Sequence, residues 1–177
     1  MIHEWKPNEG TRNFGDAVYE LFLDKETLRE WEEDNERLHF PVGSVIANNH
    51  MQHALNANLI PVFHNCGYRG EELDPELLAQ SEFDGVRGPH TQGALLEHGI
   101  DQPVTQDPVY KIAEKYAPGP PNGLAICVRH ITDRAKTGVD TIHELGVDAM
   151  FSPAVEDETD MVEFIQKISG ARFVLTG

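Results

Sequence analysis

The sequence predicts an α/β fold in which a Rossmann-like, mainly parallel sheet is flanked by helices. Short apolar segments of strand length alternate along the 177 residues with longer amphipathic segments of helical length. That alternation is typical of βαβ units. One apolar segment, "LAICVRH" at Leu124–His130, is nearly continuous, as expected for a parallel strand that is buried on both faces.

The predicted elements of the first part follow one another closely. Asp16 can cap a helix that starts at Ala17, because its carboxylate can accept the free amides of the first turn. Asp74 and Pro75 form a second helix start, with proline at the first helical position. The remaining elements are a charged helix at Lys25–Leu38, strands at Phe40–Ile46, Asn58–Gly67 and Phe83–Val86, a helix from His90 closed by Gly99, and a short strand at Pro103–Thr105.

The segment "PGPPNG", Pro118–Gly123, is the clearest break in the chain. It predicts a hinge between an N-terminal Rossmann-like domain, residues 1–117, and the start of a second Rossmann-like half, residues 124–177. The second half reads as strand, helix, strand, helix and strand. Its helices are expected in "TDRAKTGVDTIHELG" and "DETDMVEFIQKISG", and its last strand in "ARFVLTG".

Charge, cysteine content and hydropathy argue against several classes of protein. Thirty acidic and 14 basic side chains give a net charge of −16, which repels nucleic-acid phosphates and disfavours non-specific DNA or RNA binding. The two cysteines form no CxxC pair and no disulfide framework. The N-terminal residues lack the pattern of a secretory signal, and no apolar run is long enough to span a membrane. A soluble, cytoplasmic protein is expected.

Polar residues follow the predicted strands, at the edge where ligands of open α/β sheets gather. Arginine and histidine each occur twice among these positions, and they could offset the negative charge locally. The positions are Asn48–Asn49, His64–Asn65, Arg87–Gly88, Gln106–Asp107, Arg129–His130, Ser152 and Thr176–Gly177.

The turn "NFGD" suggests a ligand-binding role beside a purely structural one. Gly15 allows close approach of the backbone, and the helix start behind it offers free amides to an anion. Asn13 can both donate and accept, and Asp16 can orient a sugar hydroxyl. The alternative is an ordinary N-cap, since capping by aspartate is common.

Two further segments place a cation at a strand end. In "VRGPHT", Arg87 can hold a carboxylate or phosphate with two parallel hydrogen bonds, and His90 stands at the following helix start. In "VRH", Arg129 precedes His130, whose pKa near neutrality suits general acid or base catalysis. The alternatives are that Arg87 pairs with a nearby acid and that His130 is structural.

Metal and nucleotide motifs are absent from the sequence. His50 and His53 are three residues apart and share a helix face, but no further ligand has a recognisable spacing, so no metal site is predicted. The chain contains no Walker loop, no GxGxxG and no GxSxG. P-loop chemistry, dinucleotide binding of the usual kind and α/β-hydrolase chemistry therefore lack support.

Seven segments in order resemble the polysaccharide pyruvyl transferase family. "VRGPHTQGALLEHGI" is the closest match. "PVFHNCGYR" is similar to a stretch usually written Trp-Gly-x-Gly, without the Trp, and "QDPVY" to a Gly-Asp-Pro-Ala element, with Gln106 in place of Gly. The others are "NFGD", "GSVI", "GLAICVRH" and "ARFVLTG".

The resemblance implies two Rossmann-like halves, as in glycosyltransferases of the B type. It also implies transfer of pyruvate from phosphoenolpyruvate to a sugar hydroxyl pair as a ketal. Arg87, Arg129 and His130 would then contact the anionic donor, and Asn13 and Asp16 would order the sugar acceptor. Gly15 and His90 would be further substrate-binding residues. His130 and Asp16 would be the catalytic residues. No cofactor is expected, because phosphoenolpyruvate is itself the donor substrate.

The chain stops where the family continues into a Ser-Leu-His-Gly element. A fragment or a truncated member is therefore expected, with an exposed sheet edge that could pair with another chain, which leaves a homo-oligomer open. The alternative function is a non-catalytic sugar- or nucleotide-binding module that kept the fold without the C-terminal catalytic half. A related sugar or nucleotide transferase is a third class.

Overall fold

A computed structural model describes residues 1–3, 12–129, 148–151, 154–155 and 158–176. The chain forms two compact units, one built from residues 1–4 and 18–111 and the other from residues 5–17 and 112–177. Each unit contains a three-stranded parallel sheet. The predicted α/β, Rossmann-like class with parallel strands and flanking helices is therefore confirmed.

Strands and helices alternate through most of the described chain. The strands are β1 (Arg12–Asn13), β2 (Arg37–Phe40), β3 (Ile60–Cys66), β4 (Glu82–Val86), β5 (Ala125–Arg129), β6 (Asp148–Phe151), β7 (Ala154–Val155) and β8 (Phe173–Thr176). The helices are α1 (Phe14–Ala17), α2 (Lys25–Glu33), α3 (Asn48–Asn56), α4 (Pro75–Leu78), α5 (Pro89–Leu96), α6 (Tyr110–Lys115) and α7 (Glu158–Ser169). Within these described ranges, no helix has both the length and the apolar character that crossing a membrane requires.

The sheet of the first unit places its strands in sequence order. Strands β2, β3 and β4 are neighbours and run parallel. Single parallel bridges extend the sheet on both sides, from Ile2 to His39 and from Val86 to Val104. The strand predicted at Pro103–Thr105 thus contributes one bridge rather than a full strand. All carboxyl ends in this sheet point the same way, which brings the following loops to one edge.

An aromatic row forms the centre of the first unit's core. Phe40, Phe63 and Phe83 occupy matched positions on β2, β3 and β4. Their ring centroids are 4.7 Å apart between the first pair and 5.5 Å apart between the second. Met51 of α3 and Leu95 of α5 are fully buried in the same cluster. This face of the sheet is therefore the apolar one.

Helix α2 is shorter than the predicted Lys25–Leu38. Asp24 caps its start by accepting the first-turn amides, at 3.0 and 2.9 Å. It ends because the Asp34 carboxylate accepts the amides of Glu36 and Arg37, at 2.9 and 3.0 Å, which turns the chain out of the helix. Charge alternation alone did not show this turn, since Asp34 looks like one more solvated acid in the sequence.

The strand predicted at Phe40–Ile46 is wrong, because β2 ends at Phe40. Leu38 and Phe40 alternate inward and are buried, so the strand lies earlier in the chain. Pro41 has no N–H to donate, and Gly43 adopts a φ of +106°. The segment after Phe40 is consequently a loop at the carboxyl edge of the sheet.

The N-cap predicted for Asp16 is also wrong. Asn13 pairs with Ala154 in the short antiparallel pair β1–β7, and α1 follows at once from Phe14. Asp16 is therefore inside this one-turn helix rather than ahead of a helix that starts at Ala17. Residues 18–21 continue as a 3-10 turn.

The second unit has the strand order β6–β5–β8, with all pairs parallel. Phe14 and Phe164 of α7 meet with ring centroids 4.8 Å apart. The Pro- and Gly-rich segment 118–123 is bonded to the end of α7. Gly119 N–H donates to Ser169 Oγ at 2.9 Å, and Asn122 N–H donates to the Gly170 carbonyl at 3.0 Å. The helix predicted in "TDRAKTGVDTIHELG" lies outside the described residues.

Candidate anion-binding site

The loops that follow β2, β3 and β4 converge at the carboxyl edge of the first sheet. Gly67 N–H donates to the Gly43 carbonyl at 2.8 Å, and Ile46 N–H donates to the Gly67 carbonyl at 3.0 Å. Arg87 N–H donates to the Cys66 carbonyl at 3.2 Å. These backbone bonds hold the three loops together, so side chains that are far apart in sequence meet here.

Arg87 places a cation at this edge, directly after β4. Its Nη1 donates to Asp107 Oδ2 at 3.4 Å, and its Nη2 donates to Ser44 Oγ. The side chain is 32% exposed, so solvent or a ligand can reach it. We call this cluster the carboxyl-edge site, and it consists of Ser44, Gly67, Arg87 and Asp107.

The Arg87 guanidinium packs against the backbone of Gly67. A Cβ at this position would stand 2.5 Å from Nη2 and 3.1 Å from Cζ of Arg87. Even alanine would therefore displace the guanidinium. The absence of a side chain at Gly67 fixes where Arg87 can present its donors.

Helix α5 begins next to Arg87. Its N-cap is Gly88, no side-chain hydrogen bond caps it, and Pro89 opens the first turn. The exposed His90 ring lies 5.7 Å from the Tyr68 ring, centroid to centroid. Thr91 Oγ accepts the Tyr68 N–H at 3.0 Å and so ties the helix start to the end of β3. An uncapped helix start beside a guanidinium favours negative charge.

The chemistry of this edge suits a carboxylate or phosphate. A guanidinium carries five N–H donors in a planar fork, and the contacts to Asp107 and Ser44 occupy two of them. Asp107 offsets part of the positive charge and holds the fork in place. The arrangement can therefore bind an anion, with the fork oriented before the ligand arrives.

The structure brings together only part of the predicted set. Arg87 and His90 both lie in the first unit, directly after β4 and in the first turn of α5. Asn13 is in β1, and Gly15 and Asp16 are in α1, all within the second unit. Arg129 is the last residue of β5 in that same unit. His130 lies outside the described residues, as do the side chains of Asn13, Asp16 and Arg129.

Sequence reasoning missed three members of the carboxyl-edge site. Ser44 was assigned to a strand, Gly67 to a strand end, and Asp107 only to the polar positions after strands. The signal that could have found Asp107 is its place after the strand next to that of Arg87, because neighbouring parallel strands deliver their following residues to one edge.

Two other chemistries are disfavoured in the described part of the chain. His50 donates from Nδ1 to the Val45 carbonyl at 2.8 Å, and His53 is exposed. Among the residues that the structure describes, no three His, Cys, Asp or Glu side chains are grouped to hold a metal ion. Burial raises the pKa of the Cys66 thiol far above its ordinary value, which removes it as a nucleophile.

Fold and site together define an α/β protein with a pre-oriented arginine at the carboxyl ends of parallel strands. Such an edge is the usual ligand-binding position of this class. No protein-family model matches the chain, and no curated protein or solved structure is significantly similar to it.

Proposed function

We propose that the carboxyl-edge site binds a small anion, and that this anion is phosphoenolpyruvate, the donor for pyruvyl transfer to a sugar hydroxyl pair. The observation that carries the proposal is the Arg87 guanidinium, held against Gly67 between Ser44 and Asp107. The segment that resembles the pyruvyl transferases most closely, "VRGPHTQGALLEHGI", supplies Arg87, the start of α5 and His90. Phosphoenolpyruvate carries both of the anionic groups that this edge suits.

The role of Arg87 follows from charge and geometry. Its fork can hold the donor carboxylate or phosphate through two parallel N–H···O bonds. His90, exposed at the first turn of α5, can donate a further hydrogen bond to the same ligand. Asp107 and Ser44 act as positioning residues, because each accepts a hydrogen bond from the Arg87 guanidinium.

The catalytic roles rest on the resemblance. Ketal formation requires a proton on the methylene carbon of the enol, attack by two sugar hydroxyls on the adjacent carbon and departure of phosphate. His130 is proposed as the general acid or base for these proton transfers. Asp16 is proposed to orient or deprotonate the acceptor, with Asn13 and Gly15 beside it. Arg129 is proposed to bind the donor.

Phosphate release tests the proposal. The protein is incubated with phosphoenolpyruvate and a panel of hexoses and hexosamines with neighbouring hydroxyls, and free phosphate is measured. We expect release that depends on the acceptor, with a control lacking sugar showing none. If no release occurs but phosphoenolpyruvate raises the melting temperature, the chain is a non-catalytic binding module. If neither occurs, the proposed donor is wrong.

A further inference from the structure

The face of the first sheet opposite the phenylalanine row carries a histidine chain, an unbroken series of close contacts between the titratable side chains of Asp34, His39, His64 and Asp84. His39 Nε2 lies 3.1 Å from Asp34 Oδ2, and His39 Nδ1 lies 3.0 Å from His64 Nε2. His64 Nδ1 then lies 3.3 Å from Asp84 Oδ2. The chain connects Asp34, at the end of α2, with Asp84 on β4 through two imidazoles in line.

Trp31 of α2 covers both imidazoles. Its ring lies parallel to that of His39, with centroids 4.9 Å apart, and stacks on His64 at 4.0 Å. The side chains of His39 and His64 are only 6% and 13% exposed, whereas that of Asp84 is 78% exposed. Water therefore reaches the chain at the Asp84 end. An indole face over the pair also favours a positive charge there.

A count of protons shows that the chain has two states. Asp34 and Asp84 are both acceptors, but two neutral imidazoles supply only two ring protons for the three contacts. We assign the proton of His39 to Nε2, because its contact with Asp34 is shorter than that of His64 with Asp84, 3.1 against 3.3 Å, and Asp34 is the less exposed carboxylate. With this assignment His39 Nδ1 accepts from His64 Nε2–H. In the neutral pair His64 Nδ1 then holds a lone pair that faces the Asp84 carboxylate. One added proton at His64 Nδ1 converts this repulsion into a hydrogen bond and completes the chain.

We propose that Asp34, His39, His64 and Asp84 form a one-proton switch, in which a proton bound at His64 Nδ1 ties the exposed Asp84 carboxylate of β4 to the end of α2. The two imidazoles take up this proton as one unit, because the bond between them couples their titrations. The switch shares no residue with the carboxyl-edge site and does not depend on the function proposed for that site.

Surrounding groups set the pH at which the switch operates. Burial is the largest effect on both histidines and lowers the pKa of each, while the interactions of His39 with the Asp34 carboxylate and of His64 with the Asp84 carboxylate raise it. Burial alone would raise the pKa of Asp34, but hydrogen bonds, from the Glu36 amide first, hold that pKa below its ordinary value. The other charged groups facing the chain are the Met1 ammonium, Arg37 and Glu82.

The sign of the resulting pH dependence is fixed. The unfolded chain binds protons on these histidines near pH 6.5, and the folded chain binds them only at lower pH. The folded state therefore loses stability as the pH falls from about 6.5 through the lowered pKa. Once the pH is below that lowered pKa, the histidines are protonated in both states and no longer change the free energy of unfolding.

Nitrogen-15 NMR of the histidine rings, from pH 8 to pH 5, tests the switch in the full chain. At pH 8 we expect both rings to carry their proton on Nε2. On acidification both rings should shift with one common midpoint below about 6.5, and the new proton should appear on His64 Nδ1. Replacing Asp84 with asparagine should lower the common midpoint for His39 as well, although Asp84 contacts only His64.

Asp101→Asn is the matched control, because Asp101 is also an exposed acid and is not one of the four residues of the switch. It should leave both rings unchanged. Trp31 fluorescence in a Trp5→Phe background gives a second measurement, since protonated imidazole quenches a stacked indole, and its pH profile should show the same midpoint. Two separate midpoints, an Nδ1 proton on His64 at pH 8, or a His39 titration unchanged in Asp84→Asn would each overturn the proposal.

Discussion

Replacing Arg87 with alanine is expected to weaken binding of phosphoenolpyruvate by roughly 10- to 150-fold. A hydrogen bond to a charged group contributes about 1.5–3 kcal/mol, and each 1.4 kcal/mol is a factor of ten in Kd. The substitution removes the whole fork, while Asp107 remains and repels the ligand. Isothermal titration calorimetry of the wild-type and variant chains measures the change in Kd directly.

Two further variants test whether the loss of affinity depends on the position of the Arg87 guanidinium. Arg29→Ala removes a different arginine, which is 71% exposed on α2 and paired with Glu33, and should leave Kd unchanged. Gly67→Ala keeps Arg87 but pushes its guanidinium aside, so it should weaken binding while the free energy of unfolding changes little, because the displaced group ends a flexible side chain. Equal affinity in Arg87→Ala and wild type would refute the donor-binding role of Arg87.

Phe63→Ala is expected to lower the free energy of unfolding of the first unit by about 3–5 kcal/mol. Phe63 is fully buried and lies between the rings of Phe40 and Phe83. Its loss removes apolar contacts on both sides and leaves a cavity that the stacked rings cannot both fill. Urea unfolding followed by tryptophan fluorescence measures the change.

A comparison within the same aromatic row tests the reason for this cost. Phe83 is only partly buried, so Phe83→Ala should destabilise the unit by less than Phe63→Ala. A loss below about 1 kcal/mol for Phe63→Ala would mean that the row does not form the centre of the core, since surface substitutions are usually within about 0.5 kcal/mol.

Local sequence signals predicted the fold where they agreed with tertiary packing. The apolar runs of β3, β4 and β5 were found, and so was α4, whose Asp74 cap and Pro75 start are both present. The errors arose where a side chain acts on the backbone nearby. Asp34 turns the backbone after α2. As a result β2 begins at Arg37, earlier in the sequence than predicted, within a segment whose charge pattern is typical of a helix.

The sequence predicted Arg87 and the neighbouring His90 as binding residues, but it did not predict the cluster that surrounds Arg87. Arg87 and His90 were identified because each stands at the end of a strand or the start of a helix. That Arg87 rests on Gly67 and contacts Ser44 depends on the order of strands, which local patterns do not contain. The sequence also contains a signal for the histidine chain, in the pairs "HF", "FH" and "FD" at positions 39–40, 63–64 and 83–84. Because successive side chains of a strand point to opposite faces, each pair places a polar side chain on the face of the sheet away from its phenylalanine.

Anion binding at Arg87 is tested most directly by NMR of the arginine side chains during a titration with phosphoenolpyruvate. The Arg87 Nε–Hε resonance, assigned by its loss in Arg87→Lys, should shift along a saturable curve whose Kd equals the calorimetric one. The Arg29 resonance should not move. If phosphoenolpyruvate binds while the Arg87 resonance stays unchanged, the ligand occupies another place and the carboxyl-edge site is not the donor site.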